Sequence, residues 1–294
     1  MASKSSSHSD AGFKVRDDKC GCTGARSCLL CEATRDDKFM AARVDFEQEK
    51  SRCFTFCHEC GSRAWLATSD HSHHVAANLG QSIEIMGIEL MEEVITEAEE
   101  SRLVQQIDQG SWVNSQSGRR KQDYGPRVNF KKQKLSVGSF TGLPLYIKEV
   151  WQRVQSRCPV LAGFQAVELC NLEYDESRGS AIEPHFDDMW VWGERLVTLN
   201  YLSETRLTLT YPRATGDADA ALLDVEIQIP MKRRSLLVLS SDARSKWMHC
   251  IRRRDVRGRR IATTWRELTP EFLPGGPRYE DVGRELLAIG SSYV

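Results

Sequence analysis

The sequence predicts a mainly β fold of the α+β class: an antiparallel sandwich or barrel with flanking helices, preceded by a cysteine-rich segment. Three observations predict it. After residue 164, seven short runs rich in Val, Leu, Ile and Thr occur at 166–174, 195–202, 206–211, 224–229, 235–240, 247–253 and 259–266, separated by Gly, Pro, Asp or Ser. No helical pattern interrupts them, and strands in series pack as sandwiches or barrels. Helical periodicity is confined to the flanks, and seven of the ten cysteines fall between 19 and 60.

In chain order, residues 1–18 open with the polar, Ser-rich MASKSSSHSDAG, lack the apolar stretch of a secretory signal and are expected to be a disordered tail. Residues 19–80 form a Cys-rich, zinc-binding segment that ends in a linker at 61–80. Residues 81–294 form the main domain. There, Thr96 with Glu99 three residues on makes a capping box, Leu103, Val104 and Ile107 follow at helical spacing, and Gly110 stops the helix. The polar, basic stretch 111–135, broken by Gly118, Gly125 and Pro126, reads as a hairpin or mobile loop. P-L-Y-I-K-E-V-W-Q-R-V-Q at 144–155 is a second amphipathic helix opening at a proline. The seven strands come next, and R-E-L-L-A-I at 284–289 is a closing helix.

The 294 residues, 40% of them apolar, suffice for one or two domains with a substantial core. A net charge of -1 gives no bulk reason to expect a nucleic-acid or membrane partner, and no apolar run reaches membrane-spanning length. Basic residues cluster at Arg119–Lys121, Lys131–Lys134, Lys232–Arg234 and Arg252–Arg260, and acids gather at 84–100. Each cluster alone reads as solvated surface; several around one site would make a local positive field. Without a secretory signal the chain is expected inside the cell, in nucleus, cytoplasm or both. R-R-R-D-V-R-G-R-R at 252–260 resembles an import signal but falls within or beside a strand. In that setting clustered cysteines read as metal ligands rather than disulfides.

The chemistry concentrates between 185 and 266. H-F-D at 185–187 places His185 and Asp187 on one face of a strand, and His249 stands near the start of a later one. Two imidazoles and a carboxylate on one face of iron(II) leave positions open for a co-substrate and O2. A 2-oxo acid such as 2-oxoglutarate can chelate two of them, and its remote carboxylate then needs a deep cation. Arg260 and Arg266, at even spacing in R-I-A-T-T-W-R, offer planar forks matched to a carboxylate. An H-x-D alone is weak, and a single buried Arg is more often a structural partner; the combination carries the reading.

These residues resemble the AlkB-like iron(II)/2-oxoglutarate dioxygenases. C-G-C-T-G-A-R-S-C-L-L-C-E (20–32), S-Q-S-G-R-R-K-Q-D-Y-G-P-R-V-N-F (115–130), N-L-E-Y-D-E-S-R-G-S-A-I-E-P-H-F-D-D (171–188) and W-G-E-R-L-V (192–197) resemble the AlkB homologue 4 subfamily. The resemblance implies a double-stranded β-helix, or jelly roll, with iron bound by His185, Asp187 and His249. It implies 2-oxoglutarate held by Arg260 through its remote carboxylate, with Arg266 and Tyr174 assisting and Asn171 as the second member of the family's Asn/Tyr pair. Here two residues separate Asn171 from Tyr174, where the family usually has one, so only one of them is expected to face the co-substrate, with Tyr174 preferred. The implied reaction oxidises 2-oxoglutarate to succinate and carbon dioxide with O2 and removes an N-methyl group as formaldehyde.

Two further signals complete the reading. Cys20, Cys22, Cys28 and Cys31, spaced C-x-C-x5-C-x2-C, supply four thiolates for a tetrahedral zinc, whereas Cys53, Cys57 and Cys60 are irregularly spaced and read equally as a second site with His58, His71, His73 or His74, or as a Cys-rich loop. Cys158, Cys170 and Cys250 sit in apolar settings as core, as do Trp190 and Trp192 by the commoner reading. The resemblance implies a lid at 117–127, where Arg119, Arg120, Lys121 and Tyr124 are candidate substrate contacts, for phosphates and a base or for an acidic protein surface. The subfamily implies two substrate classes. Methyl-lysine in protein, actin-like, ranks first because the charge is not basic and no nucleic-acid-binding module is visible; N6-methyladenine in DNA is the alternative. A non-catalytic, zinc-bearing interaction scaffold is the third reading.

Overall fold

A computed structural model describes residues 20–23, 26–32, 47–50, 52–66, 82–212 and 220–294. The expected tail at 1–18 and the linker residues 67–80, with His71, His73 and His74, lie outside them. Strands β1 (Arg52–Cys57) and β2 (Arg63–Leu66) form a hairpin, followed by β3 (Ser82–Glu84) and β4 (Ile88–Met91). The polar stretch 111–135 is ordered into β5 (Val113–Asn114), β6 (Arg120–Tyr124), β7 (Arg127–Asn129) and the start of β8 (Lys134–Ser136). All seven apolar runs are strands: β9 (Glu168–Asp175), β11 (Trp192–Tyr201), β12 (Thr205–Thr210), β13 (Val225–Met231), β14 (Leu236–Leu239), β15 (Met248–Ile251) and β16 (Arg259–Leu268). The strand expected to carry His185 is β10 (Ile182–His185), which ends before Asp187.

One sheet runs β10-β15-β12-β13-β1-β2-β3 and the other β4-β14-β11-β16-β9-β6-β5. From β9 to β16 the chain contributes four strands to each sheet, passing back and forth between them, which is a jelly roll. The sheets are antiparallel except where β1 lies parallel to β13. Residues 52–66 of the Cys-rich segment therefore extend a sheet of the main fold.

Period-two alternation sorts the strands' side chains. On β11, Val197, Leu199 and Tyr201 join the larger core, and Leu196 the smaller one. The larger core is completed by helices Glu97–Gln109 and Lys148–Arg157, with Trp151 stacked on Trp265 at 4.6 Å. The capping box forms as expected: Thr96 accepts from the Glu99 N–H while the Glu99 carboxylate accepts from the Thr96 N–H. Glu99 also accepts from Arg153 of the second helix, at 2.5 and 3.0 Å, which holds its carboxyl down at about 2. That second helix begins at Lys148 after a 3-10 turn, with Pro144 capping the turn rather than opening the helix.

The charge clusters pair with one another. Lys232, Arg233 and Arg234 meet Glu92, Glu100 and Glu93 from the acidic stretch 84–100. In the run 252–260, Arg252 pairs with Glu226, Arg253 with Glu32, Arg254 with Glu49, Arg257 with Glu176 and Arg259 with Asp108. The import-signal resemblance at 252–260 thus falls on a strand and a turn whose arginines are engaged. Lys131, Lys132 and Lys134 stay exposed on the β7–β8 hairpin.

Candidate active site

Antiparallel pairing of β10 with β15 sets His185 directly opposite His249, with ring centroids 4.3 Å apart. Asp187 lies two residues past His185, beyond the strand's end, with its Oδ1 3.5 Å from His185 Nε2. One ligand atom from each of the three residues lies within 4.8 Å of the others. Their donor set, two nitrogens and an oxygen, suits a ferrous ion with open positions. His185 Nδ1 is 2.8 Å from the Glu183 carbonyl oxygen, which only accepts; Nδ1 therefore carries the proton and Nε2 presents its lone pair to the site.

Electrostatics keep this set ready for a cation. Burial pushes the Asp187 carboxyl up, but the Arg266 guanidinium outweighs it and holds the group well below the usual carboxylate range. Burial drives His249 down to about 3, so its imidazole is neutral. The carboxylate is aimed by Arg266, whose Nε donates to Asp187 Oδ2 at 2.7 Å and whose second nitrogen donates to Glu168 at 2.5 Å. Arg266 and Glu168 are cross-strand partners in the β16–β9 register. Arg266 lines the pocket, with two of its guanidinium nitrogens engaged by Asp187 and Glu168.

The same cavity runs between the sheets past Leu172, Leu207 and Ala262 to Tyr174 and Arg260. Arg260 is 1% exposed, its Nε donates to Asn200 Oδ1 at 2.7 Å, and its guanidinium lies 4.8 Å from the Tyr174 ring centroid. The Asn200 amide donates to the carbonyls of Ser203, Met231 and Lys232, which fixes its oxygen toward Arg260. One Arg260 nitrogen, Nη1, is buried without a partner among the described residues. A buried guanidinium short of an acceptor costs free energy unless a ligand supplies one. A dicarboxylate between Arg260 and the His/Asp/His set meets that need, so the residues present fit both iron and an oxo-acid.

Asn171 is held away from the cavity. Three residues from Tyr174, it falls on the opposite face of β9 and does not line the pocket. Its amide donates to Gln122 and Tyr146, and its oxygen accepts from Thr263. The lid candidates are also occupied. Arg119 is buried with its guanidinium 5.9 Å from the Tyr174 ring, Arg120 binds Glu173 at 2.5 and 2.7 Å, Lys121 meets Asp123 at 2.5 Å, and Tyr124 contacts Tyr146. Glu173 also accepts from Arg178 and Arg259; although burial raises its carboxyl, these arginines bring it to about 2. Trp192 is core under Arg266, and Cys158, Cys170 and Cys250 are buried. Sequence reasoning missed Asn200 and Glu168. Both are ordinary polar strand residues, visible as site residues only through strand register.

At the N-terminus, the sulfurs of Cys20, Cys22, Cys28 and Cys31 lie within 4.8 Å of one another, the last three of these residues buried. Cys53, Cys57 and Cys60 form no such group among the described residues.

No protein-family model matches the chain. It is 42% identical to the human protein named alpha-ketoglutarate-dependent dioxygenase alkB homolog 4, over 94% of each chain. Its identity to the mouse protein of that name is also 42%, over 94% of this chain and 95% of the mouse protein. A Caenorhabditis elegans protein named DNA N6-methyl adenine demethylase is 37% identical, over 94% of this chain and 95% of its own.

Proposed function

The chain belongs to the alpha-ketoglutarate-dependent dioxygenases of the alkB homolog 4 group, and from that premise we propose that it is an oxidative N-demethylase of methyl-lysine in protein. As an enzyme of this family it is not the inert scaffold of the third sequence reading. His185, Asp187 and His249 would hold iron(II), and Arg260, seated on Tyr174 and Asn200, would take the remote carboxylate of 2-oxoglutarate. When bound, iron and co-substrate supply O2-driven oxidation of an N-methyl group, with 2-oxoglutarate leaving as succinate and carbon dioxide. Arg266 fixes the Asp187 carboxylate, and the Glu183 carbonyl fixes the His185 tautomer. The observation that carries the reading is one cavity with an N/N/O donor set and, further in, a buried arginine nitrogen lacking an acceptor.

The preference for protein over DNA rests on the ion pairs. DNA binding draws its affinity from free cations that displace phosphate counterions. Here the runs at 119–121, 232–234 and 252–260 are largely consumed by internal carboxylates. N6-methyladenine in DNA is kept as a second reading by the name of the worm relative. No helix among the described residues is long and apolar enough to cross a membrane.

The test is formaldehyde release from a methyl-lysine peptide, actin-like, and an N6-methyladenine oligonucleotide side by side, with iron(II), 2-oxoglutarate and ascorbate. Release from the peptide is expected. Release from the oligonucleotide alone, with binding that weakens steeply with salt, selects DNA; absence of succinate under every condition refutes the site.

A further inference from the structure

We propose that Cys20, Cys22, Cys28 and Cys31 bind one structural zinc ion, and that the knuckle it closes clamps the turn between β5 and β6 onto both ends of the catalytic pocket. The second half rests on the functional reading above; the first does not.

The sulfur geometry fits a tetrahedral tetrathiolate site. Zinc–thiolate bonds of about 2.3 Å place the sulfurs of a tetrahedral site roughly 3.8 Å apart. Cys28 and Cys31 Sγ are 3.9 Å apart, far beyond a disulfide's ~2.05 Å, and all four lie within 4.8 Å of one another. The Cys28 N–H donates to Cys31 Sγ at 3.3 Å, as backbone groups do around metal-bound thiolates. Four sulfurs, three of them on buried residues, leave no open position, which marks a structural rather than a catalytic site. A segment this short buries too little apolar surface to hold a shape without such a staple.

Contacts show what the knuckle holds. A Cβ on Gly21 would lie 2.6 Å from the Asn114 carbonyl oxygen, and one on Gly118 (φ +73°) would lie 3.2 Å from Cys28 Cβ and 2.7 Å from the Arg178 carbonyl oxygen. The knuckle, the 115–118 turn and the 176–180 turn therefore meet at backbone distance. Arg26 donates to Gln116 at 2.8 Å, and Arg253 grips Glu32 while donating to the Gly179 carbonyl. The 115–118 turn passes the constraint in two directions. The Ser117 hydroxyl donates to the Glu183 carboxylate at 2.7 Å, and the Glu183 carbonyl holds His185. The next residue after the turn, Arg119, lies against the Tyr174 ring that carries Arg260 on its own contacts. Ser117 and Arg119 are positioning residues in this scheme, and the zinc positions them.

The test uses the full chain in three forms: wild type, Cys28→Ser/Cys31→Ser, and Ser117→Ala. Elemental analysis should find one zinc per wild-type and Ser117→Ala chain and none in the double variant. Hydrogen exchange without iron or 2-oxoglutarate should speed up at 115–119 and 180–185 in the double variant and at 182–185 in Ser117→Ala, with 225–239 unchanged. An iron titration of Ser117→Ala should show about 10-fold weaker affinity, the scale of lost support around a metal site, with a smaller rise in the 2-oxoglutarate KM. Zinc-free wild type with four reactive thiols, or a visible iron–sulfur chromophore, overturns the metal. Unchanged exchange at both segments after zinc loss overturns the clamp. Should the double variant not fold, wild-type zinc content and Ser117→Ala exchange still decide. Neither readout needs demethylation, so the proposal and the functional reading can fail separately.

Discussion

Replacing Arg260 by Met separates a ligand-holding arginine from a structural one. Met keeps an unbranched apolar side chain against Tyr174 and removes the guanidinium that meets Asn200. With 2-oxoglutarate bound, the loss leaves a buried carboxylate without its cation, which costs about 3–5 kcal/mol. At 1.4 kcal/mol per factor of ten, the 2-oxoglutarate KM rises at least about 100-fold. Without co-substrate the balance differs. Asn200 Oδ1 loses its donor, at about 1–3 kcal/mol, but a buried cation with an unpartnered nitrogen also disappears, so stability changes by less than about 2 kcal/mol. Co-substrate protection reports both effects. A concentration of 100 Kd stabilises wild type by about 2.7 kcal/mol and a variant with 100-fold weaker binding by only about 0.4. The assays are succinate formation against 2-oxoglutarate concentration and denaturation with and without 2-oxoglutarate. An unchanged KM together with a loss above about 3 kcal/mol in the ligand-free protein would make Arg260 a structural partner and refute the reasoning.

His185→Ala or Asp187→Ala should abolish iron binding and turnover while far-UV circular dichroism stays unchanged; turnover surviving either change would reassign the ligands. Glu168→Gln weakens the second anchor of Arg266 and should lower iron affinity about 10- to 100-fold in an iron titration, without raising the 2-oxoglutarate KM to the same degree. The metal-free protein should lose stability on acidification. The unfolded chain protonates His249 near 6.5 and the folded one only near 3, so between these values the unfolded state binds more protons and stability falls as pH drops. Urea midpoints measured from pH 7 to 4 on wild type and His249→Gln test this; a slope equal in both removes His249 as its source.

Much of the jelly roll is legible because its strands are runs of β-branched and aliphatic residues, and the helix at 97–109 because Thr96 and Glu99 announce its start. The strands that escaped are those stabilised by side chains distant in sequence. β6, R-K-Q-D-Y, lies in the stretch that reads as a hairpin or mobile loop until Arg120 finds Glu173 across the strand pair. β1 reads as part of a cysteine segment because its partner, β13, is far along the chain. The candidate ligands were readable as H-x-D plus a later His, but the groups that orient them were not. Arg266 reads as a co-substrate clamp in one dimension, and its bonds to Asp187 and Glu168 become visible only through the register that sets it beside Glu168. The Asn171–Tyr174 spacing did foretell that one of the pair turns away, since an odd offset on a strand reverses the face.

The parallel seam between β1 and β13 bears on how the chain can be divided. β13 is V-E-I-Q-I-P-M, a long alternating strand whose outer rim of amides and carbonyls is sealed by residues 52–55. Cutting the chain at residue 81 to isolate the oxygenase would strip that seal and leave the edge of β13 from Val225 to Gln228 unpaired, open to pairing with other copies. Residues 52–66 are in this sense a built-in guard against self-association.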